Sequence, residues 1–553
     1  MGRVRNILFV MFDQLRFDYL SCYGHPHLKT PNIDRLAARG VRFTNAYVQS
    51  PVCGAARMSA YTGRYVHSHG AAWNNYPLKV GEETLGDHLR RAGAECWLVG
   101  KTHMKADAEG MRRLGLAPDS VIGARVAEAG FDLWVREDGL YGDGPSANYD
   151  PARSPYNAWL REKGYEGANP WHGYANSGVD AEGRMASGWF LLNNRLPANI
   201  REEDSETPWL TDRAIEFVDA KRGGAPWLCH LSYIKPHWPY VVPEPYASMF
   251  GPKDVIPARR SERERQDPHP VYRAFMEARV SRNFSRDEVR AAAIPAYMGL
   301  IKQCDDQFGR LIAHLEATGA MEETMIVVTS DHGDYLGDHW LGEKDLFHQP
   351  SVKVPLIVYD PSAAADATRG TVSDALVEQI DLAPTFLEAL GAAWPDHMLE
   401  GRSLLPLLRG EAPADWRDFV VSEYDYSTST MAAALDLPPR ECRLFMIFDG
   451  RWKFIHAEGG FRPMLFDLPE DPDEFRDRGA DPEAAEIVAR MYERLGAWAR
   501  RPSQRTTMSE AALLARRGKT DESGILIGVA EAGEVRDALR APYEGPAPKR
   551  PRL

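Results

Sequence analysis

Six apolar residues in an unbroken row, Ile7-Leu8-Phe9-Val10-Met11-Phe12, end on Asp13 and constrain this chain more than any other feature. A strand wetted on one face alternates apolar and polar residues; one that is apolar throughout must be covered on both faces. A parallel sheet between two helical layers provides that cover. Shorter runs of the same kind recur at residues 96–100, 226–233, 324–329 and 355–359. Helix patterns separate them. Thr30-Pro31 opens one that Gly40 closes, residues 82–92 make another closed by Gly93, and residues 208–221 and 291–318 give two more. The expectation is an α/β fold, a large and mostly parallel sheet sandwiched by helices.

The pattern changes after Gly410. Residues 419–423, 444–448 and 452–456 read as short strands, the last two joined by Asp449-Gly450, a two-residue hairpin signal. A helix at residues 482–500 would pack on this small antiparallel sheet. The organisation expected is a catalytic α/β domain over residues 1–410, an α+β subdomain over 411–501 and a tail over 502–553. The tail is charged apart from Gly524-Ile525-Leu526-Ile527-Gly528-Val529, and is expected to wrap the body or a neighbouring subunit in a homo-oligomer, a dimer or tetramer. Residues 107–206 and 255–287 read as two long excursions of loops and short elements over the catalytic face.

Polar residues gather where the buried runs end, and open α/β sheets place their ligands beyond the carboxyl ends of their strands. Asp13 ends the first run. Lys101-Thr102-His103 follows the second, with the lysine and histidine two apart and so on one side. Pro236 and Pro239 fix the backbone around His237, a candidate acid or base. Ser330-Asp331-His332-Gly333-Asp334 offers half of a metal site, and Lys344 lies in the loop beyond. Each of these, taken singly, also reads as a cap or an ordinary surface residue. The stretch Ser50-Pro51-Val52-Cys53-Gly54-Ala55-Ala56-Arg57 sets a cysteine among small residues at a helix start, with an arginine one turn on. A helix N-terminus and a guanidinium both favour an oxyanion. Cys53 is therefore either a nucleophile at an anion site or a buried structural thiol.

A net charge of -13 implies no basic face for nucleic acid. The cysteines, Cys22, Cys53, Cys96, Cys229, Cys304 and Cys442, form no paired framework, which points to a reducing compartment. The first apolar run is too short for a signal segment or membrane span, so a cytoplasmic protein without a membrane partner is expected.

Taken in order, the strand ending in Asp13, Cys53-x-x-x-Arg57, Gly100-Lys101-Thr102-His103, Pro236-His237, Ser330-Asp331-His332-Gly333, Lys344 and Gly401-Arg402-Ser403-Leu404-Leu405-Pro406 resemble the sulfatase family of the alkaline phosphatase superfamily. The match runs from Asn6 to about Glu474, where Leu465-Phe466-Asp467-Leu468-Pro469 resembles the family's closing strand and turn. The resemblance implies hydrolysis of small-molecule aryl or alkyl sulfate esters. It implies that Cys53 is oxidised by a separate formylglycine-generating enzyme to formylglycine, the nucleophile, with Arg57 holding it. It assigns one divalent cation, Ca2+ or Mn2+, to Asp13, Cys53, Asp331 and His332. Lys101, His103, His237 and Lys344 would surround the sulfuryl oxygens and the leaving group, and Asn74 would touch substrate. Three features depart from the usual pattern: Ala55 replaces the proline of Cys-x-Pro-x-Arg, Gln14 follows Asp13, and His332 follows Asp331. These look like the phosphonate monoester hydrolase group, whereas Lys101 and His103 match sulfatases. Phosphonate monoesters and phosphodiesters are thus the alternative substrates. An anion-binding pseudo-enzyme with unmodified Cys53 is the rival from another class, and a phosphomutase-type transferase ranks last.

Overall fold

The computed structural model describes residues 4–139, 154–518, 537–541 and 544–549. Contacts divide the chain into two compact units, Met1–Trp394 with Leu399–Arg501, and Pro395–Met398 with Pro502–Leu553. All that follows concerns the first.

Its strands, in chain order, are β1 (Asn6–Asp13), β2 (Val41–Tyr47), β3 (Glu95–Gly100), β4 (Asp132–Arg136), β5 (Ser177–Val179), β6 (Met185–Ser187), β7 (Trp227–Pro236), β8 (Thr324–Ser330), β9 (Lys353–Tyr359), β10 (Thr371–Glu378), β11 (Val420–Asp425), β12 (Arg443–Phe448), β13 (Trp452–Ala457) and β14 (Met464–Asp467). Eight form one sheet in the order β10-β2-β9-β8-β1-β7-β3-β4. Its pairings are parallel except those of β9, which is antiparallel to both β2 and β8.

The unbroken apolar row of β1 has a simple cause: alternate residues enter different cores. Ile7, Phe9 and Met11 pack on one side of the sheet, and Leu8, Val10 and Phe12 on the other. The first side is covered by the helices Cys53–Thr62, Leu85–Arg91 and Leu382–Ala389, the second by Glu206–Lys221 and the 31-residue Asp287–Ala317. The expected mostly parallel sheet between helical layers is present, and so is the small antiparallel sheet, in the order β11-β12-β13-β14. One face of it joins the first core; the other, through Val421, Ile447 and Phe454, packs against Met491 and Trp498 of the helix Ala485–Ala499.

Two local expectations change. The Asp449-Gly450 signal does make the β12–β13 hairpin, but the loop has a third residue, Arg451. Asp449 Oδ1 accepts from both Arg451 N (3.1 Å) and Trp452 N (2.7 Å), which closes the wider turn. Within residues 107–206, read as loops and short elements, β4 joins the main sheet beside β3. It is an edge strand, only partly covered, so it can carry Asp132 and Arg136 and shows no apolar run.

Candidate active site

Four neighbouring parallel strands, β8-β1-β7-β3, deliver their carboxyl ends to one place. β1 ends in Asp13 and β8 runs into Asp331 and His332. Pro236 closes β7 just before His237, and Gly100 closes β3 just before Lys101. The sequence-expected polar residues converge because the sheet aligns the ends of those runs.

Cys53 opens the helix Cys53–Thr62 and is fully buried. Asn74 lies against the helix start, and its Oδ1 accepts from Gly54 N at 2.8 Å. A Cβ at Gly54 would sit 3.0 Å from that oxygen and 3.1 Å from Trp73 O, so a larger residue fits there only if these neighbours give by a few tenths of an ångström. Asn74 thus satisfies a free N–H at the start of the helix that carries Cys53. The Cys53 thiol lies 3.0 Å from Lys344 Nζ, 3.0 Å from His332 Nε2 and 3.8 Å from Asp13 Oδ1.

Arg57, one turn on, is fully buried and does not hydrogen bond Cys53 among the described residues. Nε donates to Asp331 Oδ2 at 2.8 Å, and Nη1 to Ser232 Oγ at 2.7 Å and Lys101 O at 3.1 Å; Nη2 lies 3.4 Å from Asp13 Oδ2. Arg57, expected to hold the nucleophile, reaches it only through the carboxylates. Lys101 Nζ also donates to Asp13 Oδ2. Each carboxylate therefore has one oxygen tied to cations. The second oxygen of Asp13 turns toward Cys53, and that of Asp331 accepts from Gln14 N at 3.1 Å and lies 3.6 Å from His332 Nε2.

The His332 ring has its tautomer set by the backbone. Nδ1 is 2.9 Å from Gly333 O, which can only accept, so Nδ1 carries the hydrogen and Nε2 presents a lone pair. One ligand atom from each of Asp13, Cys53, Asp331 and His332 lies within 4.8 Å of all the others. An inward lone pair on His332 with its far nitrogen anchored, and carboxylates fixed from behind, make a donor set that fits a divalent cation.

Burial alone would raise the Asp13 carboxyl, but Lys101, His237, Arg57 and Lys344 outweigh it and hold it well below the usual range. Burial would lower Lys344; Cys53, Asp13 and Glu343 reverse that and keep it charged. Burial, reinforced by Lys344 and Lys101, pushes His237 well below an ordinary histidine. Its Nδ1 donates to Trp238 O at 2.7 Å, so Nε2, 3.4 Å from Lys344 Nζ, is an acceptor. His103 is also lowered, by burial and then Lys101. It stands at the pocket with a φ of 54°, and its Nδ1 has no hydrogen-bond partner among the described residues.

A pocket of about 310 Å3 opens above Cys53, with Asn74, Lys101, His103, His237 and Lys344 on its wall. The first excursion contributes Arg136, Asp138, Gly139 and Trp171. The second, residues 255–287, contributes no lining residue among those described and faces a separate cavity instead. Several site residues had been given no role from the sequence. Gln14, held at a φ of 64°, places its backbone N on Asp331 and its Oε1 3.4 Å from Lys344. Ser232 was invisible inside an apolar strand. Glu343 and Asp345 flank Lys344, and of the three only the lysine had been given a role.

A family model described as Sulfatase matches residues 5–392, and one described as N-sulphoglucosamine sulphohydrolase, C-terminal, matches residues 337–501. The multifunctional alkaline phosphatase superfamily protein PehA of Trinickia caryophylli is 30% identical, over 91% of this chain and 96% of its own. The arylsulfatase of Clostridium perfringens is 26% identical over 85% of this chain and 89% of its own. Among solved structures, the phosphonate monoester hydrolase of Silicibacter pomeroyi superposes with a TM-score of 0.77 at 29% identity, covering 89% of this chain and 94% of that one.

Proposed function

The chain belongs to the sulfatase family and is a hydrolase, and from that premise we propose that it cleaves sulfate esters through a formylglycine made from Cys53, with one divalent cation. The observation that carries the reading is the company of the Cys53 thiol: Lys344 and His332 at 3.0 Å, with Lys101 paired to Asp13 beside it. Three fixed cations, Arg57, Lys101 and Lys344, surround two carboxylates, which leaves positive charge for an anionic ester.

Asp13, Asp331, His332 and residue 53 would hold the cation, and the imidazole among them favours Mn2+ over Ca2+. When bound, the cation would supply charge against the ester oxygens and lower the pKa of an attacking hydroxyl. Formylglycine would supply an aldehyde hydrate, one hydroxyl to attack and a second whose deprotonation later expels sulfate. The chain's own residues do the rest. Lys101 and Lys344 face the non-bridging oxygens. His237 and Lys344 stand together where the alcohol leaves. Because Nε2 of His237 accepts in the resting site, the proton for the departing oxygen starts on Lys344 or enters through Nε2 once the anion is bound.

A basic alkoxide needs that proton more than a stable phenolate does. His237→Ala should therefore slow esters of poor leaving groups by at least about tenfold more than esters of good ones; equal losses across a leaving-group series would reduce His237 to a binding residue. Dialysis against a chelator should remove activity, and Mn2+ should restore it more fully than Ca2+. Activity that survives with no metal in the protein by mass spectrometry would refute the cation assignment.

Phosphonate monoester hydrolysis is the second reading, favoured by the likeness to the Silicibacter pomeroyi enzyme. Comparison of kcat/KM on an aryl sulfate and the matched phenylphosphonate ester separates the two. A higher value on the sulfate supports the first reading, and a higher value on the phosphonate replaces it with the second.

A further inference from the structure

A carboxylate on the wall of an anion pocket needs a reason to be there, because it repels the group the pocket is built to hold. Asp138 lines the pocket above Cys53 and is buried. Burial would raise its carboxyl, but Arg136, then His103 and Lys101, hold it below the usual range, so it is charged at neutral pH. Its partners give the reason. Oδ1 accepts from two consecutive main-chain N–H groups, Thr102 N at 3.0 Å and His103 N at 3.4 Å. Oδ2 accepts from Arg136 Nε at 2.9 Å. Arg136 in turn donates through Nη2 to Met104 O at 3.0 Å, and through Nη1 to the two oxygens of Glu128 at 2.8 and 2.9 Å. The pair thus grips the segment after β3 twice. Asp138 takes the N–H groups of Thr102 and His103, and Arg136 takes the carbonyl of Met104.

The sheet puts the pair in reach. Arg136 ends β4 opposite Gly100, the last residue of β3, and Glu137 N donates to Gly100 O at 3.0 Å. The two segments leave the sheet side by side, so Asp138 comes alongside Thr102 and His103. What it holds there is a conformation the chain does not adopt unaided. His103 has a φ of 54°, and a non-glycine residue stays in the left-handed region only where its surroundings impose it.

The two pocket groups of this segment differ in how they are anchored. Lys101 Nζ is paired with Asp13. The His103 ring reaches Cys53, but its Nδ1 has no hydrogen-bond partner among the described residues. A ring without a second anchor points where its main chain aims it.

We propose that Asp138, backed by Arg136, is a positioning residue that aims His103 at the reacting group by holding the N–H groups of Thr102 and His103. The inference rests on the proposed hydrolysis at this site and adds to it the group that orients one of its histidines.

The test is a double-mutant cycle on the metal-loaded, full-length enzyme, with an aryl sulfate and the matched phenylphosphonate ester as substrates. Asp138→Asn keeps the size but turns an amide N–H toward Arg136 or toward the main-chain donors, so the grip loosens. On the better substrate kcat should fall by about 30-fold or more, since a small misplacement of a positioned group costs up to about 10²-fold. KM should not rise, because the change removes a negative charge from the wall of an anion site. In the His103→Ala background the same substitution should lower kcat by less than about threefold, because nothing is left for it to aim. Equal losses in both backgrounds would make Asp138 a scaffold or a substrate contact and overturn the inference. So would a rise in KM with kcat unchanged, or a His103→Ala enzyme as active as the native one. Should Asp138→Asn not fold, Arg136→Gln loosens the same grip from behind and takes its place in the kcat cycle. If neither ester is turned over, the function proposed above fails, and the imidazole resonances of protein labelled with carbon-13 histidine decide the inference instead. The His103 signal, identified by its loss in His103→Ala, should split or broaden in Asp138→Asn as the ring loses its single orientation. A signal that stays single and sharp overturns the inference.

Discussion

Replacing Cys53 with alanine should reduce turnover by on the order of 10⁴-fold or more while leaving the fold intact, because loss of a covalent nucleophile removes a whole reaction channel rather than one contact. The fold should survive for a specific reason. The thiol is small, and its neighbours keep other anchors: His332 holds Gly333 O, and Lys344 retains the Gln14 side chain at 3.4 Å. Thermal unfolding should shift by no more than about 1 kcal/mol in stability. Cys53→Ser is the sharper experiment. A serine oxygen in the same cradle can attack, with the alcohol leaving and the sulfuryl group staying on the serine. It has no second hydroxyl on the same carbon to push that group off. The protein should then gain the mass of one sulfuryl group after a single turnover. Steady multiple turnover by Cys53→Ser at the native rate would mean that the aldehyde hydrate is not required.

The parts of this site that were legible in the sequence share one property: they stand at the end of something periodic. Asp13 could be placed because six apolar residues precede it, and His332 because a β-branched run leads into it. Once those runs become adjacent parallel strands, their ends converge without further information. Ser232 was illegible because it sits inside such a run, and only the approach of Arg57 Nη1 to its hydroxyl gives it a role. Glu343 and Asp345 were illegible for another reason. Their place on the pocket wall goes with a positive φ in a loop, and no periodicity reports a backbone angle. β4 was missed because an edge strand has no need to be apolar on both faces. The antiparallel direction of β9 could not be read either, since a buried strand has the same composition whichever way it runs.

Arg57 carries the second large effect, and it is one of stability as well as chemistry. The guanidinium and both carboxylates, Asp13 and Asp331, are wholly shielded from water. Removing one partner from a buried ion pair strands the others, at a cost of about 3–5 kcal/mol. Arg57→Met keeps much of the volume and removes the charge. It leaves two buried carboxylates facing each other with Lys101 as the nearest remaining counter-charge. Arg57→Lys should not rescue it. A lysine is a single point of charge and cannot span Asp331, Ser232 and the Lys101 carbonyl as the planar fork does. Activity should fall by at least about 10³-fold in both variants, because the two carboxylates lose the group that sets their spacing. The sign of the metal dependence is the decisive part. With Arg57 gone, a divalent cation becomes the main neutraliser of Asp13 and Asp331. Chelation should therefore lower the unfolding temperature of Arg57→Met more than that of the native protein. A smaller effect of chelation on the variant would show that Arg57 and the cation are not alternative counter-charges to the same carboxylates, and the cluster of Asp13, Asp331 and His332 would lose its assignment as a metal site.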